Sequence, residues 1–405
     1  MRLPTIHLLL IEDNPGDARL LREMLHDAPD VIFDLVWVDR LAKGIELLQA
    51  GNLDAALVDL SLPDASDLDS VVRTRQVAPE LPIIVLTGST DRERGLRAVR
   101  EGAQDYLIKG DVNVDLVART VQYAIERKRT EAKIARYARE LRARNEQMRA
   151  DLALAQEIQL ALLPHDYPVF PPGVTAEQSA LSFHHYYQGA AYLAGDFFDI
   201  FPVSETAAGI FICDVMGHGV RAALITAMIR PLVDDLITRA AEPGALLDKI
   251  NQELIAILRQ ANTTIYATAF YLVADIARGQ FTYANAGHPA PLHLRRQHGD
   301  VVALHTDGHN GPALGLFEHS TFTTHQSMFD PGDVALFFTD GLFEVTNATD
   351  EEYGTERLLQ TVRRLSTLSA AELIPALLAD VQQFAAQKEF TDDVCLVGLQ
   401  ARRKG

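Results

Sequence analysis

The first 125 residues alternate short apolar runs with amphipathic stretches of helical period. Apolar runs of this length followed by helical patterns predict five strand–helix units, and therefore one parallel sheet covered by helices on both faces. Ligands of such sheets bind at the carboxyl ends of the strands. The predicted strands cover residues 6–11, 31–38, 55–59, 82–87 and 104–108, and the clearest helical patterns cover 17–25 and 92–101.

Polar side chains stand where these strands end. Glu12 and Asp13 follow the first strand, Asp59 ends the third, Thr87 ends the fourth, and Lys109 follows the fifth. Three carboxylates at one sheet edge repel each other unless a hard cation such as Mg²⁺ binds between them. A lysine can neutralise the negative charge of a phosphoryl group on an aspartate, and a hydroxyl can donate a hydrogen bond to it. A single strand-terminal Asp is commonly a turn residue, but the five together predict a phosphate-accepting site.

A long helix follows. No Pro or Gly occurs between residues 115 and 163, which predicts one helix that ends before Pro164. Its residues show a 4-3 repeat with Asn145 at a central a position, which favours a two-stranded parallel coiled coil and hence a homodimer through residues 134–162. The alternative is a single helix lying on its own domain. The d positions are Ile134, Leu141, Met148, Ala155 and Leu162, and the a positions are Ala138, Asn145, Leu152 and Gln159.

A proline-rich stretch at residues 164–173 marks the next boundary, after which strand and helix patterns are mixed. Strands that pair locally, with helices grouped between them, predict an α+β sandwich. The dipeptide Arg278-Gly279 between two apolar runs predicts a hairpin. The expected domains are 1–125, 126–165 and 166–405. Predicted strands cover 209–215, 263–276, 280–286, 290–295, 334–339 and 393–399, and predicted helices cover 220–240, 245–259 and 370–387.

Charge and composition narrow the function classes. The chain carries 37 basic and 55 acidic residues, a net charge of −18, although residues 126–149 carry a local net charge of +5. A protein with this net negative charge is not expected to bind nucleic acid or an anionic membrane. The basic stretch is interpreted as a solvated helix face. The two cysteines, Cys213 and Cys395, are too far apart in sequence for a zinc motif or a disulfide framework. Without a signal peptide or a long apolar run, a cytoplasmic location is expected.

Four aspartates of the C-terminal region lie at strand ends or turns, next to glycines or other acids. They are Asp196, Asp214, Asp340 and Asp392. An all-carboxylate set suits Mg²⁺ or Mn²⁺ better than Zn²⁺, and two such ions can activate water against a phosphoester without a protein nucleophile. Any one of these motifs alone could be an ordinary turn. The sequence lacks the Cys-x5-Arg, G-x-x-x-x-G-K-[ST] and G-x-S-x-G motifs of competing chemistries.

Residues 5–125 resemble the receiver domain of two-component response regulators, a flavodoxin-like α/β fold. The matching segments are Ile11-Glu12-Asp13-Asn14, Leu57-Val58-Asp59-Leu60-Ser61-Leu62-Pro63-Asp64, Leu86-Thr87-Gly88 and Asp105-Tyr106-Leu107-Ile108-Lys109. The resemblance implies that Asp59 accepts phosphate from a histidine kinase or phosphotransfer protein. It assigns Mg²⁺ to Glu12, Asp13, Asp59 and the Ser61 carbonyl, and the switch to Thr87, Tyr106 and Lys109. Gly110 departs from the family, which usually has Pro there.

Residues 150–400 resemble the metal-dependent protein phosphatases related to protein phosphatase 2C, and within them the bacterial branch of SpoIIE and RsbU. The four aspartate motifs and the segments 155–164 and 283–289 carry the resemblance. It implies an αββα sandwich that removes phosphate from Ser or Thr of proteins, often small anti-sigma-factor antagonists. It assigns two Mn²⁺ or Mg²⁺ ions to Asp196, Asp214, Asp340, Asp392 and the Val215 carbonyl, with Asp393 and Asp199 as possible additional ligands.

Two details of this resemblance stay open. Ala194 replaces a glycine that usually precedes the Gly-Asp pair, and Asn285 and His288 could form a structural turn or contact the substrate. The expected function is a serine or threonine protein phosphatase controlled by phosphorylation of the receiver. The alternative is a catalytically weak adaptor that sequesters a partner protein when the receiver permits it.

Overall fold

The computed structural model describes residues 3–88, 91–236, 241–260, 265–304, 310–385 and 390–402. The chain divides into two compact units, Met1–Gln147 and Met148–Gly405. This division falls inside the segment 126–165 that was expected to form a separate linker, so the three domain boundaries stay predictions. No helix within the described residues is both long enough and apolar enough to span a bilayer.

The N-terminal unit contains the predicted five-stranded parallel sheet, in the order β2-β1-β3-β4-β5. Its strands begin and end within one residue of the predicted positions, because each is a mainly apolar run between polar segments. The strands are β1 (Thr5–Ile11), β2 (Ile32–Val38), β3 (Ala55–Asp59), β4 (Ile83–Thr87) and β5 (Asp105–Ile108). The helices are α1 (Pro15–His26), α2 (Leu41–Ala50), α3 (Asp69–Val77), α4 (Arg92–Arg100) and the first part of α5 (Val114–Ala161).

Burial on both faces explains why β3 and β4 are apolar throughout. Alternate side chains of a strand point to opposite faces, so Leu8 and Leu57 pack against α1 and α5, whereas Leu9 and Val58 pack against α2, α3 and α4. Every residue of β3 and β4 is buried. The polar residues that end these strands, Asp59 among them, are therefore held by a rigid sheet.

Helix α5 is continuous over 48 residues, in agreement with the predicted helix. The Asn113 side chain accepts a hydrogen bond from the Leu116 amide at its start (2.9 Å). The seam residues Ile134 and Leu141 are 63% and 68% exposed, whereas Gln159 at the end of the seam is buried within the C-terminal unit. The helix is thus confirmed, and its pairing into a coiled coil stays a prediction.

The C-terminal unit is the expected α+β sandwich of two antiparallel five-stranded sheets. One sheet has the order β13-β10-β9-β8-β7 with α6 and α7 against it, and the other has the order β12-β11-β14-β15-β6 with α8 and α9 against it. Phe270 and Phe337 meet between the sheets, with ring centroids 6.0 Å apart. Both cysteines are buried and unpaired. The strands are β6 (Leu181–Gln188), β7 (Asp196–Ser204), β8 (Ala207–Val215), β9 (Ala267–Asp275), β10 (Gln280–Ala286), β11 (Leu292–Arg295), β12 (Asp300–Ala303), β13 (His325–Met328), β14 (Val334–Phe338) and β15 (Val394–Ala401), and the helices are α6 (Val220–Leu236), α7 (Pro243–Gln260), α8 (Gly354–Arg364) and α9 (Ala370–Ala385).

The hairpin at residues 278–279 is present between β9 and β10, with Gly279 at φ +60°. Strands β6, β7, β12 and β13 and helix α8 were not among the predicted elements. Strand β7 was missed because it opens with Asp196 and Asp199 interrupts its apolar pattern, although its first six residues are buried. Parts of the predicted segments 220–240, 263–276 and 370–387 lie outside the described residues.

Candidate phosphate-accepting and metal-binding sites

The carboxyl edge of the parallel sheet brings the receiver residues together. The Lys109 Nζ lies 2.7 Å from Glu12 Oε2 and 3.1 Å from oxygens of both Asp59 and Asp17. Glu12, Asp13 and Asp59 each offer a carboxylate oxygen within 4.8 Å of the other two. Strands β1, β3 and β5 end at this edge, so the topology itself produces the cluster.

Burial shapes the charges of this cluster. Burial of Glu12 raises its pKa, the Asp59 charge adds to this, and the hydrogen bond from Lys109 opposes both. Burial also works against the charged form of Lys109, but its hydrogen bond to Glu12 and the Asp59 charge outweigh burial and raise the pKa of Lys109. Oε2 of Glu12 accepts no well-directed hydrogen bond from the described residues. Three carboxylates beside one ammonium fit a hard dication such as Mg²⁺.

The remaining receiver residues surround this cluster. Thr87 is buried at the end of β4, its hydroxyl donates to the Asp91 carbonyl (3.3 Å), and its carbonyl accepts from the Lys109 amide (2.9 Å). This last bond holds the loop that contains Gly110. The Tyr106 ring lies over Gly95 of α4, where a Cβ would come within 2.5 Å of the ring. Ser61 is exposed two residues beyond Asp59.

The C-terminal aspartates gather at one end of the sandwich. Asp196 opens β7 and lies opposite Asp214 near the end of β8. Asp340 opens a short 3-10 helix (Asp340–Leu342) after β14, and Asp392 precedes β15. Thr339 joins the two sheets here, because its hydroxyl donates to Asp196 Oδ2 (2.7 Å) and accepts from the Cys395 amide (2.9 Å).

These aspartates raise one another's pKa values. Burial and the charges of Asp340 and Asp392 raise the pKa of Asp214 to about 7, and burial and the Asp214 charge raise that of Asp196. Burial and the Asp392 charge likewise raise the pKa of Asp340. No three of these aspartates bring ligand atoms within 4.8 Å of one another in the described part of the chain, so the set is wider than the receiver cluster. Its oxygen-only donors suit Mg²⁺ or Mn²⁺.

The two possible additional ligands have different surroundings. Asp393 accepts hydrogen bonds from the Ala190 amide (2.8 Å) and the Gly195 amide (2.6 Å), so it holds the loop before Asp196. Asp199 lies three residues after Asp196 on the same strand and therefore faces the opposite side. It lies 4.0 Å from Arg230 of α6, and burial raises its pKa. The structure does not bring Asp199 to the other aspartates.

Asn285 and His288 lock a turn against each other. The Asn285 side chain donates to the His288 carbonyl (2.9 Å) and accepts from the His288 amide (2.8 Å). His288 is fully buried, and burial lowers its pKa to about 3. Its Nδ1 lies 2.9 Å from the Thr268 hydroxyl, and Thr268 is the cross-strand neighbour of Asp214. These contacts favour the structural interpretation of the pair.

Sequence reasoning missed two residues near the aspartates. Burial and the charges of Asp340 and Glu352 raise the pKa of Glu344, which places this acid beside the set. Its position four residues after Asp340, one helical turn away, was the feature of the sequence that could have placed it near this aspartate. Gln159, interpreted above as a coiled-coil residue, instead hydrogen-bonds to the backbone of Ala194. A heptad pattern does not reveal that contact. A helix that packs on its own domain and a helix that pairs with a second helix both need a continuous face, so both give the same sequence pattern.

We expect the metal-free C-terminal unit to lose thermal stability as the pH rises from about 4 to about 7. Folding raises the pKa of Asp214 from 3.8 to about 7, so the folded state favours the protonated carboxyl, and that stability is lost as the proton leaves. Calorimetric scans in EDTA should show a fall of several degrees in the unfolding midpoint (about 2–4 °C per kcal/mol for a domain of this size). Added Mn²⁺ should reverse it.

Asp214→Asn should flatten this pH dependence and weaken the effect of Mn²⁺, whereas Asp235→Asn, at an exposed position of α6, should do neither. An equal pH dependence in wild type and Asp214→Asn would contradict the assignment.

Comparison with known proteins agrees with the two halves of the structure. The family model described as response regulator receiver domain matches residues 8–122, and the model described as stage II sporulation protein E (SpoIIE) matches residues 204–402. The phosphoserine phosphatase RsbP of Bacillus subtilis (strain 168) is 29% identical over 213 residues, 52% of this chain and 50% of RsbP. The phosphoserine phosphatase RsbU of the same organism is 25% identical over 256 residues, 62% of this chain and 71% of RsbU.

Among solved structures, the SiaA-PP2C domain of Pseudomonas aeruginosa superposes with a TM-score of 0.54 at 20% identity, covering 64% of this chain and 98% of that one. At this identity the likeness shows the fold. The chain spans about half the length of RsbP. Its similarity to RsbP and RsbU is a similarity of amino-acid sequence over the aligned residues. Residues 8–122 are thus a response regulator receiver domain, and residues 204–402 are a PP2C-like domain that matches the SpoIIE family model.

Proposed function

We propose that the chain is a metal-dependent protein phosphatase for phosphoserine or phosphothreonine, controlled by phosphorylation of its receiver domain. The observation that carries the proposal is the set of Asp196, which is buried, and Asp214 and Asp340, which are partly buried, all with raised pKa values. No Lys or Arg forms an ion pair with these three carboxylates in the described residues. Without cations these carboxyls favour the protonated form, and bound divalent cations would supply the positive charge that lets all three ionise.

In this proposal, Asp196, Asp214, Asp340 and Asp392 hold two Mn²⁺ or Mg²⁺ ions with help from the Val215 carbonyl. Ions in such a site supply a Lewis acid and an activated water for attack on a phosphoester. Thr339 orients Asp196 through its hydroxyl, and Asp393 fixes the backbone before Asp196. The fold thus presents its acidic groups from two sheets to one phosphate.

The receiver supplies the input. We propose that Asp59 accepts a phosphoryl group from a histidine kinase or phosphotransfer protein, with Mg²⁺ held by Glu12, Asp13, Asp59 and the Ser61 carbonyl. Lys109, 3.1 Å from Asp59, would contact the phosphoryl group, and Thr87 would donate its hydroxyl. Thr87 and Tyr106 then form the switch pair.

The proposed substrate is a phosphorylated protein, because RsbP and RsbU are both named phosphoserine phosphatases. A small anti-sigma-factor antagonist is the specific candidate that the family resemblance offers, and a cytoplasmic location goes with it. The alternative, a catalytically weak adaptor, would not need the complete set of four aspartates.

Loss of one central metal ligand should abolish activity. Asp214→Ala should reduce Mn²⁺-dependent hydrolysis of a phosphoserine protein roughly 100-fold or more, because several kcal/mol of transition-state stabilisation by the ions are lost. Circular dichroism should show a native fold. Asp235→Ala, an exposed aspartate of α6, is the matched control and should keep full activity. Undiminished hydrolysis by Asp214→Ala would reject the metal assignment.

The receiver should be labelled at one residue. A small phosphodonor or a cognate kinase should phosphorylate the wild-type chain, and Asp59→Asn should stay unlabelled because an amide cannot form the acyl phosphate. Intact-protein mass spectrometry measures the added phosphoryl group. Asp30→Asn, an exposed position of the same domain, should be labelled like the wild type. Labelling that persists in Asp59→Asn would place the acceptor elsewhere.

We also propose a homodimer held by α5, because Ile134, Leu141 and Met148 are exposed at heptad spacing. Light scattering of the whole chain should give the mass of a dimer. Leu141→Lys should shift the mass toward the monomer, since a charge enters the apolar seam. Leu154→Lys is the control, because Leu154 is equally exposed on α5 but lies off the seam. A wild-type chain that is monomeric at all accessible concentrations would contradict the dimer.

A further inference from the structure

Lys109 of the receiver gives one of its hydrogen bonds to an acid outside the predicted magnesium site. Its ammonium group donates to Glu12 Oε1 (2.9 Å) and to Asp17 Oδ2 (3.1 Å). The Asp59 carboxylate lies at 3.1 Å from the same nitrogen, as an ion pair. An ammonium group has only three N–H donors, so the contact with Asp17 occupies one of them.

Asp17 is the most exposed of the three acids around Lys109. Its side chain is 37% exposed, whereas those of Glu12 and Asp59 are 0% and 3% exposed. Oε1 of Glu12 also accepts a hydrogen bond from the Asn14 amide (3.1 Å), which fixes this carboxylate independently of the lysine. Lys109 can therefore release Asp17 more easily than either of the other two acids.

Asp17 does not belong to the cation-binding cluster. Within the described residues, the acids that bring ligand atoms together at this sheet edge are Glu12, Asp13 and Asp59. Asp17 lies in the first turn of α1, where a negative charge stabilises the helix N-terminus. Two interpretations of Asp17 follow: it either stabilises α1 only, or it also acts on the chemistry of Asp59 through Lys109.

Phosphorylation of Asp59 requires the donor that Asp17 occupies. A carboxylate oxygen of Asp59 forms the new bond to phosphorus, and the bond between phosphorus and the leaving oxygen of the phosphodonor breaks, with its electron pair going to the leaving group. The phosphoryl oxygens are then best stabilised by charged donors such as an ammonium group. The Asp17 carboxylate competes with them for Lys109 and repels their negative charge.

We infer that Asp17 is a positioning residue that holds the Lys109 ammonium group away from an incoming phosphoryl group and so slows the phosphorylation of Asp59. The inference rests on the proposed function insofar as Asp59 is the phosphate acceptor. Glu12 is enough to keep Lys109 in the site, because Glu12 is buried and its Oε2 lies 2.7 Å from the lysine nitrogen. Removal of the Asp17 carboxylate therefore frees one donor of Lys109 without displacing the lysine.

The test measures how fast acetyl phosphate labels the full-length chain at saturating Mg²⁺, by intact-protein mass spectrometry. We expect Asp17→Ala to be labelled about fivefold faster than the wild type, as befits the loss of a partly exposed ion pair. Glu23→Ala is the matched control, because it removes an acid of α1 that pairs with Arg19 at an exposed position, and its rate should stay within about twofold of wild type. Asp17→Glu restores the charge and should return the rate toward that of the wild type.

A second measurement separates this role from metal binding and from helix stability. The Mg²⁺ concentration that gives half-maximal labelling should be the same in Asp17→Ala and in the wild type, because Asp17 lies outside the cation-binding cluster. A clearly higher concentration would make Asp17 a metal ligand and overturn the inference. A purely structural role would lower the unfolding midpoint of Asp17→Ala and leave its labelling rate equal to that of Glu23→Ala, which also overturns the inference.

The result for Asp59→Asn distinguishes failure of the inference from failure of the proposed function. If Asp59→Asn stays unlabelled and Asp17→Ala reacts no faster than Glu23→Ala, Asp59 stands as the acceptor and the role of Asp17 falls. If Asp59→Asn is still labelled, the proposed acceptor falls, and the role of Asp17 falls with it. If Asp17→Ala does not fold, Asp17→Asn decides, because it removes the charge and keeps the shape: faster labelling than Glu23→Gln supports the inference, and an equal rate overturns it.

Discussion

Repulsion between buried carboxylates is the constraint on which both sites depend. Each fold places acids at the ends of adjacent strands, where burial makes their charges costly. In the receiver the chain itself supplies a counter-charge, because Lys109 contacts Glu12, Asp17 and Asp59. In the sandwich the described residues provide no such lysine, and the pKa of Asp214 rises to about 7. The receiver cluster therefore contains its own counter-charge, whereas burial and mutual repulsion oppose ionisation of the sandwich aspartates in the absence of cations.

This difference suits the division of labour between the two domains. A phosphate acceptor must be ready whenever a donor arrives, and the ion pairs of Lys109 hold its carboxylates in place beforehand. A catalytic site whose cation affinity depends on backbone position is open to control, because small movements of the ligands change that affinity. In the proposed function, the free-energy cost of ionising the sandwich aspartates would also make the site sensitive to small movements of its ligands.

The sequence predicted the receiver almost completely, because four of its five apolar strands lead into acidic, hydroxyl or lysine side chains that suit one phosphate-accepting site. It predicted the sandwich less well. Strand β7 was not predicted because it opens with Asp196 and Asp199 interrupts its apolar pattern; Asp196 lies opposite Asp214, whereas Asp199 lies beside Arg230. The alternation of side chains along a strand places the two aspartates on opposite faces, but this can be used only after the strand has been identified. Glu344 was missed although it lies only four residues after Asp340, because no motif marks it as part of the acidic set.

Gln159 shows that the sequence of a helix predicts which residues share a face but not which partner that face contacts. A heptad repeat records which residues share a face, and the face from Ile134 to Leu162 is continuous in the sequence. In the structure the same face is exposed at Ile134 and Leu141 and buried within the C-terminal unit at Gln159. An exposed face that could pair with a second helix and a face buried in the same chain give the same heptad pattern, so the pattern cannot distinguish them. That ambiguity has a physical meaning, because one apolar face can meet either a second helix or its own domain, and in the structure Gln159 meets its own domain at the backbone next to Asp196.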